Sequence, residues 1–176
     1  MGIMWFVLQC FYFMIPAYIA NMAPVIVKNN FKRLAFSLDL GTGMFGKNKT
    51  FRGLIFGVLF AIVAAYSQFL LYSVGFFKDL SFVNYSNWII LGLFFGFGAL
   101  LGDLIESFIK RRIGIKPGER FIPWDQLDFV FGALVLVSLV TDISWKKIFF
   151  IAMISIIGHI VVNHSAYYLK IRNEKW

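Results

Sequence analysis

The sequence predicts an all-α integral membrane protein with five transmembrane helices, its amino terminus outside, its carboxyl terminus cytoplasmic and two functional cytoplasmic loops. Three observations carry this reading. Only 15% of the 176 residues are charged and 60% are hydrophobic, with a mean hydropathy of +0.76, whereas a soluble domain is roughly 25% charged. Apolar stretches long enough to cross a hydrocarbon core of about 30 Å recur along the chain. The basic residues collect in alternate connecting segments, the asymmetry that orients membrane proteins.

A helix rises about 1.5 Å per residue, so a span needs about 20 largely apolar residues. The predicted spans are 3–27, 53–77, 88–109, 123–141 and 148–169, all within a single domain, 1–176. The first is read as a retained span because no basic start precedes it and its first charge is Lys28. The third begins late, near Trp88, since 81–87 reads as a polar turn. In the fourth, the charge-free part 129–141 makes only about 20 Å of helix. To cross, that helix must begin near Pro123 and carry Asp125 and Asp128 in its first two turns.

One side of the predicted topology holds Lys28, Lys32, Arg33, Lys47, Lys49 and Arg52 in the first loop and Lys110, Arg111, Arg112, Lys116 and Arg120 in the second. Lys170, Arg172 and Lys175 in the tail lie on the same side, against only Lys78, Lys146 and Lys147 on the other. The loops are therefore cytoplasmic, and the net charge of +8 needs no nucleic-acid partner to explain it. The single cysteine, Cys10, forbids an intramolecular disulfide and reads as a small buried hydrophobe.

Topology does not explain the acids. At the end of the third span Asp103, Glu106, Ser107 and Lys110 share one helical stripe, at the terminus where the helix dipole disfavours carboxylates. A salt-bridge network with Lys110 and Arg111 is one reading and a divalent metal another. Asp125 and Asp128 return on the next helix to the same depth, so up to four carboxylates converge and call for a cation. Hard oxygen donors of this kind suit magnesium.

The first loop supplies the opposite charge, from Gly41-Thr42-Gly43 through Gly46-Lys47-Asn48-Lys49-Thr50-Phe51-Arg52-Gly53. Glycines permit close backbone approach, a helix amino terminus offers free amides, and the cations can hold a polyphosphate. It is not a Walker loop, because the spacing differs and no strand precedes it. With the carboxylates it describes a cytosolic site for a nucleoside triphosphate and magnesium. Asn21 lies between Pro16 and Pro24, which kink the first span. His159 and Asn163 are one turn apart on the fifth. Such residues more often join helices by hydrogen bonds than touch substrate.

These motifs resemble a known family. Gly102-Asp103, Ser107-Phe108-Ile109-Lys110-Arg111-Arg112, Gly114, Pro117-Gly118, Asp125-Gln126-Leu127-Asp128-Phe129 and Gly132-Ala133-Leu134 are similar to the core of CDP-archaeol synthase, the membrane cytidylyltransferase of archaeal-type ether phospholipid synthesis. The stretch from Pro16-Ala17-Tyr18 to Asn21-Met22-Ala23-Pro24 and the segment Lys49-Thr50-Phe51-Arg52-Gly53 match as well, as does the closing segment with His159, Asn163, Ala166 and Tyr167. CDP-diacylglycerol synthase, which acts on phosphatidic acid, is a more distant relative. Its glycine- and histidine-containing stretch is missing here, and Asp125-Gln126-Leu127-Asp128 departs from its Asp-Arg-hydrophobic-Asp.

The resemblance implies a multi-pass enzyme of the cell membrane that moves CMP from CTP to the isoprenoid ether lipid 2,3-di-O-geranylgeranylglycerol 1-phosphate, with membrane lipids around it and no protein partner. Asp103, Asp125 and Asp128 would hold one or two Mg2+ ions, with Glu106 behind them. Lys47, Lys49, Thr50, Arg52 and Gly53 would bind the nucleotide. Lys110 and Arg111 would act on the lipid phosphate or the α-phosphate, and Asn21, Ser107, Arg112, His159 and Asn163 would bind or support substrate. The rival reading, a small cation transporter or channel, wants ionisable groups continuing along the spans, whereas the outer halves here are nearly bare.

Overall fold

Backbone polar groups in a bilayer must be paired within the segment, so long apolar stretches fold as helices. The computed structural model describes residues 2–28, 34, 36–38, 43–46, 49–116 and 119–168, without the side chains at 162, 163, 166 and 167. Its helices are α1 (Ile3–Ile26), α2 (Phe51–Leu71), α3 (Gly75–Leu80), α4 (Trp88–Arg112), α5 (Trp124–Val137) and α6 (Trp145–Tyr168), with a 3-10 turn at Tyr85–Asn87 before α4. The described residues contain no strand, only an isolated bridge between Ser37 and Thr50.

Among the described residues, three helical segments, Ile3–Ile26, Phe51–Leu71 and Tyr85–Arg112, are long and apolar enough to cross a membrane. Where the sequence predicts a second span to 77, α2 stops at Leu71 and α3 follows as a separate short helix. At that break Ser73 Oγ donates to the Leu70 carbonyl and the Val74 amide to that of Leu71, an alternative to continuing the helix. Helix α5 begins at Trp124 but ends at Val137, short of the expected 141. Ser138 and Thr141 hydroxyls there take the carbonyls of Val135 and Val137. At 14 residues it is about 21 Å long, less than the thickness of the hydrocarbon core.

Helix α4 is the hub, packed against α1, α2 and α5, while α6 closes on α1 and α5. Lipid is as apolar as leucine, so the contacts rest on small residues that let backbones approach. Ala17, Ala20, Ala61, Ala65, Ala99 and Ala133 are completely buried. A Cβ on Gly92 would lie 2.6 Å from the Ile62 Cα, and one on Gly96 2.9 Å from that of Val58, which locks α4 onto α2. Phe13, Phe95, Val130 and Ile151 fill the spaces between the helices.

The kink expected in α1 has a specific partner. Pro16 leaves the Tyr12 carbonyl without its intrahelical donor, and Gln68 Nε2 of α2 donates to it at 2.6 Å. On the other side of α1, Tyr18 Oη and Ser155 Oγ of α6 are 2.8 Å apart.

Candidate functional site

The start of α2 is built by a short backbone zipper. The Leu38 amide donates to the Lys49 carbonyl at 2.7 Å and the Phe51 amide to Phe36 at 3.0 Å. Thr50 then caps the helix, its hydroxyl accepting from the Gly53 amide at 3.2 Å, the usual way an exposed first-turn donor is satisfied. Gly53 sits against Pro24 of α1, where a Cβ would come within 3.0 Å of the ring. Lys49 is thereby aimed at α4, and its ammonium lies 2.5 Å from both carboxylate oxygens of Asp103.

Helices α4 and α5 meet backbone to backbone. A Cβ on Gly98 would lie 2.5 Å from the Gly132 carbonyl, and one on Gly102 would strike the carbonyl of Asp128. This approach sets Asp128 beside the acids that follow Gly102. Asp103, Glu106 and Asp128 each offer one oxygen, and the three oxygens lie within 4.8 Å of one another. Glu106 Oε1 is buried and accepts no hydrogen bond among the described residues.

Asp125 lies beside this trio and shares Lys110 with Glu106: its carboxylate accepts from Lys110 Nζ at 2.6 Å and from the Phe121 amide at 2.5 Å. Lys110 also lies 3.4 Å from Glu106. Lys110 and Glu106 are only 7% and 8% exposed. Removing one partner of a buried pair costs about 3 kcal/mol, so Lys110→Met should show a clearly lower thermal midpoint in detergent. A wild-type midpoint would mean that Glu106 and Asp125 do not depend on it.

The remaining candidates are placed as follows. Arg52 and Ser107 are buried, Arg111 donates to the Ile115 carbonyl, and the Arg112 guanidinium lies 4.9 Å over the Phe108 ring. His159 is half-buried on α6. Lys47 and the Asn163 side chain lie outside the described residues.

Two cavities flank the carboxylates. One, of about 280 Å³, is walled by Asn21, Pro24 and Val25 of α1, Thr50, Gly53 and Leu54 of α2 and Leu100, Asp103 and Leu104 of α4, with Leu38 and Lys49 from the loop. The other, of about 370 Å³, runs between α4 and α5 and is lined by apolar side chains such as Ile105, Ile109, Phe131 and Val135, together with Glu106 and Asp128. The trio is thus shared, Asp103 facing one cavity and its two companions the other. Sequence reasoning missed Gly98, although its spacing from Gly102 is the small-xxx-small pattern of close helix pairs.

The donor set fits a hard divalent cation. Three carboxylate oxygens without thiolate or imidazole match magnesium better than zinc or copper. The buried Glu106 Oε1 accepts no hydrogen bond among the described residues but is ion-paired with the Lys110 ammonium at 3.4 Å, so an ion held there would share that oxygen with Lys110.

A model of the CarS-like CDP-archaeol synthase family matches residues 3–176. A CDP-archaeol synthase of Sulfolobus acidocaldarius is 36% identical over 169 residues, covering 92% of this chain and 93% of its own. One from Methanocaldococcus jannaschii is 34% identical over 174 residues, covering 94% of each chain. The fold is similar to a solved structure described as an intramembrane enzyme for archaeal membrane lipid biosynthesis, with a TM-score of 0.68 and 28% identity over 89% of this chain and 94% of that one.

Proposed function

The chain belongs to the CDP-archaeol synthase family, membrane cytidylyltransferases that use CTP, and from that membership we propose that it transfers CMP from CTP to 2,3-di-O-geranylgeranylglycerol 1-phosphate, with magnesium, in the cell membrane. The product is unsaturated CDP-archaeol. The observation that carries the reading is the carboxylate trio shared between a cavity that sets Asn21, Lys49, Thr50 and Asp103 among apolar walls and an almost wholly apolar groove. A reaction between a water-soluble nucleotide and a lipid needs such a meeting point.

In the reaction an oxygen of the lipid phosphate attacks the α-phosphorus of CTP, and the bond from that phosphorus to the bridging oxygen of the β-phosphate breaks, releasing pyrophosphate. The attacking phosphate monoester is already ionised near neutral pH, so no strong base is required. Catalysis then rests on alignment and charge neutralisation. Lys49, the capped start of α2 with Thr50 and Gly53, and the neighbouring Lys47 and Arg52 hold the triphosphate, as helix amino termini hold anions. Lys110 and Arg111 neutralise the lipid phosphate, and Asp125 fixes the ammonium of Lys110. Asp103, Glu106 and Asp128 would hold magnesium, which when bound would draw charge from the phosphate oxygens.

The groove between α4 and α5 gives isoprenoid chains an apolar track that ends on Glu106 and Asp128. Five spans with the amino terminus outside would place the trio and the first loop on the cytoplasmic side, where the nucleotide is. Detergent-purified protein given CTP, magnesium and the geranylgeranyl ether phosphate should form the CDP-lipid, read by mass spectrometry, and lose that activity on chelation. Product from phosphatidic acid alone would reassign the acceptor, and no turnover with either lipid would sink the proposal.

A further inference from the structure

Phe45 and Phe108 meet away from the carboxylates. Phe45 belongs to the first loop and lies between Gly43 and Gly46, whose φ values of +72° and +87° are left-handed and turn the chain there. Phe108 stands near the end of α4. The ring centroids are 6.2 Å apart with their planes tilted at 47°, within the range of attractive aromatic pairs. One turn further along α4, the Arg112 guanidinium lies 4.9 Å over the Phe108 ring, a cation–π contact that holds the ring in place. Neither phenylalanine lines either cavity, so the pair is not part of either binding surface.

The pair is linked closely to Lys49. The Lys49 amide donates to the Gly46 carbonyl at 3.2 Å, which ties the residue after Phe45 to the backbone of Lys49. The loop therefore meets α4 at two points, Lys49 on Asp103 and Phe45 on Phe108. Asp103 and Phe108 are five residues apart on α4, about 7.5 Å along the helix, a distance that the chain from Phe45 to Lys49 spans easily. The two contacts differ in what breaks them. A cation on Asp103 competes with the Lys49 ammonium, and a phosphate competes with Asp103 for that same ammonium, so the ion pair is given up when both arrive. The contact between the two rings uses no group that either ligand takes, and it survives the exchange.

We propose that Phe45 and Phe108 are positioning residues, whose contact clamps the first loop to the end of α4 and keeps Lys49 within reach of the phosphates while Asp103 changes partners. This rests on the nucleotide-transfer reading. An undocked loop reduces the fraction of protein ready to bind, and apparent affinity falls by that fraction. Saturating nucleotide draws the loop back, so the maximal rate is kept.

The test pairs steady-state kinetics with trypsin cleavage of the first loop at Lys47 and Lys49, on the full chain in detergent. In Phe45→Ala and in Phe108→Ala the KM for CTP should rise about tenfold, the scale of a lost aromatic pair, with kcat within about twofold of wild type and the KM for the lipid phosphate unchanged. Without ligands the loop should be cut about tenfold faster, because cleavage follows the population of the open form. The double variant should be no worse than either single one, since both remove the same contact, and Phe45→Trp should restore both readouts. Wild-type KM and cleavage in Phe45→Ala, effects that multiply in the double variant, or a lost kcat at unchanged KM would each overturn the proposal. Wild-type protein that turns over no CTP would instead overturn the nucleotide-transfer reading. Cleavage then decides alone, and equal rates for wild type and Phe45→Ala overturn the docking.

Discussion

Asp128→Asn should reduce CDP-lipid formation by about a thousandfold, the scale of several kcal/mol of charge stabilisation at a phosphoryl centre, while the protein keeps its detergent thermal midpoint. The substitution preserves shape and one oxygen but removes a charge from a trio whose oxygens lie within 4.8 Å of one another. Magnesium affinity, measured by titration calorimetry, should fall with turnover. Asp125→Asn provides the contrast. Because Asp125 acts by holding Lys110 at 2.6 Å, its loss should be smaller, about ten- to a hundredfold as for residues that orient a primary group. Wild-type turnover by Asp128→Asn would remove the carboxylates from the mechanism.

Gly102→Ala is the second large effect. The added methyl would strike the Asp128 carbonyl, and backbone cannot rotate away as a side chain can. Helix α5 must shift, at a cost of about 1 to 3 kcal/mol for overpacking. The shift also carries Asp128 away from Asp103 and Glu106, and a misplacement of about 1 Å can reduce turnover about a hundredfold. We expect a thermal midpoint lower by several degrees and activity near background in the folded fraction. Gly114→Ala, at a position where a Cβ would meet nothing within 4 Å but φ is +83°, serves as a comparison that strains the chain without touching the α4–α5 contact. If Gly102→Ala were as active as wild type, the close helix approach would not be what positions Asp128.

Much of the site could be read from the sequence because it depends on helical periodicity. Asp103, Glu106 and Lys110 fall on one stripe of α4 by spacing alone, and the polar start of α5 had to begin near Pro123 for the helix to reach any depth. The start of the second helix was read at 53, two residues late, because the capping role of Thr50 was not recognised in the loop before it. The pairing of Glu106 with Lys110 was legible, but those of Asp103 with Lys49 and of Asp125 with Lys110 were not. Spacing puts Asp125 and Asp128 on the same face, and only the height at which Gly98, Gly102 and Gly132 let α5 dock decides which of the two joins the trio. Likewise nothing in the sequence marks α2 for ending at Leu71, because hydroxyl competition for carbonyls at Ser73 leaves no trace in hydropathy. Leu38 enters the cavity beside Lys49 and Asp103 through a loop whose hydrogen bond to the Lys49 carbonyl follows no periodic rule.

The hydrogen bond from Gln68 to the Tyr12 carbonyl has a mechanical side. A proline ordinarily turns a helix into two rods joined by a loose hinge. Here the hinge is pinned from the adjacent rod, so the half of α1 that bears Asn21 and Pro24 takes its bearing from α2. The far end of that same α2 presents Thr50 and Gly53. Two walls of the cavity are thereby tied together at a point about four turns of α2 away from Gly53, by a glutamine that does not line it.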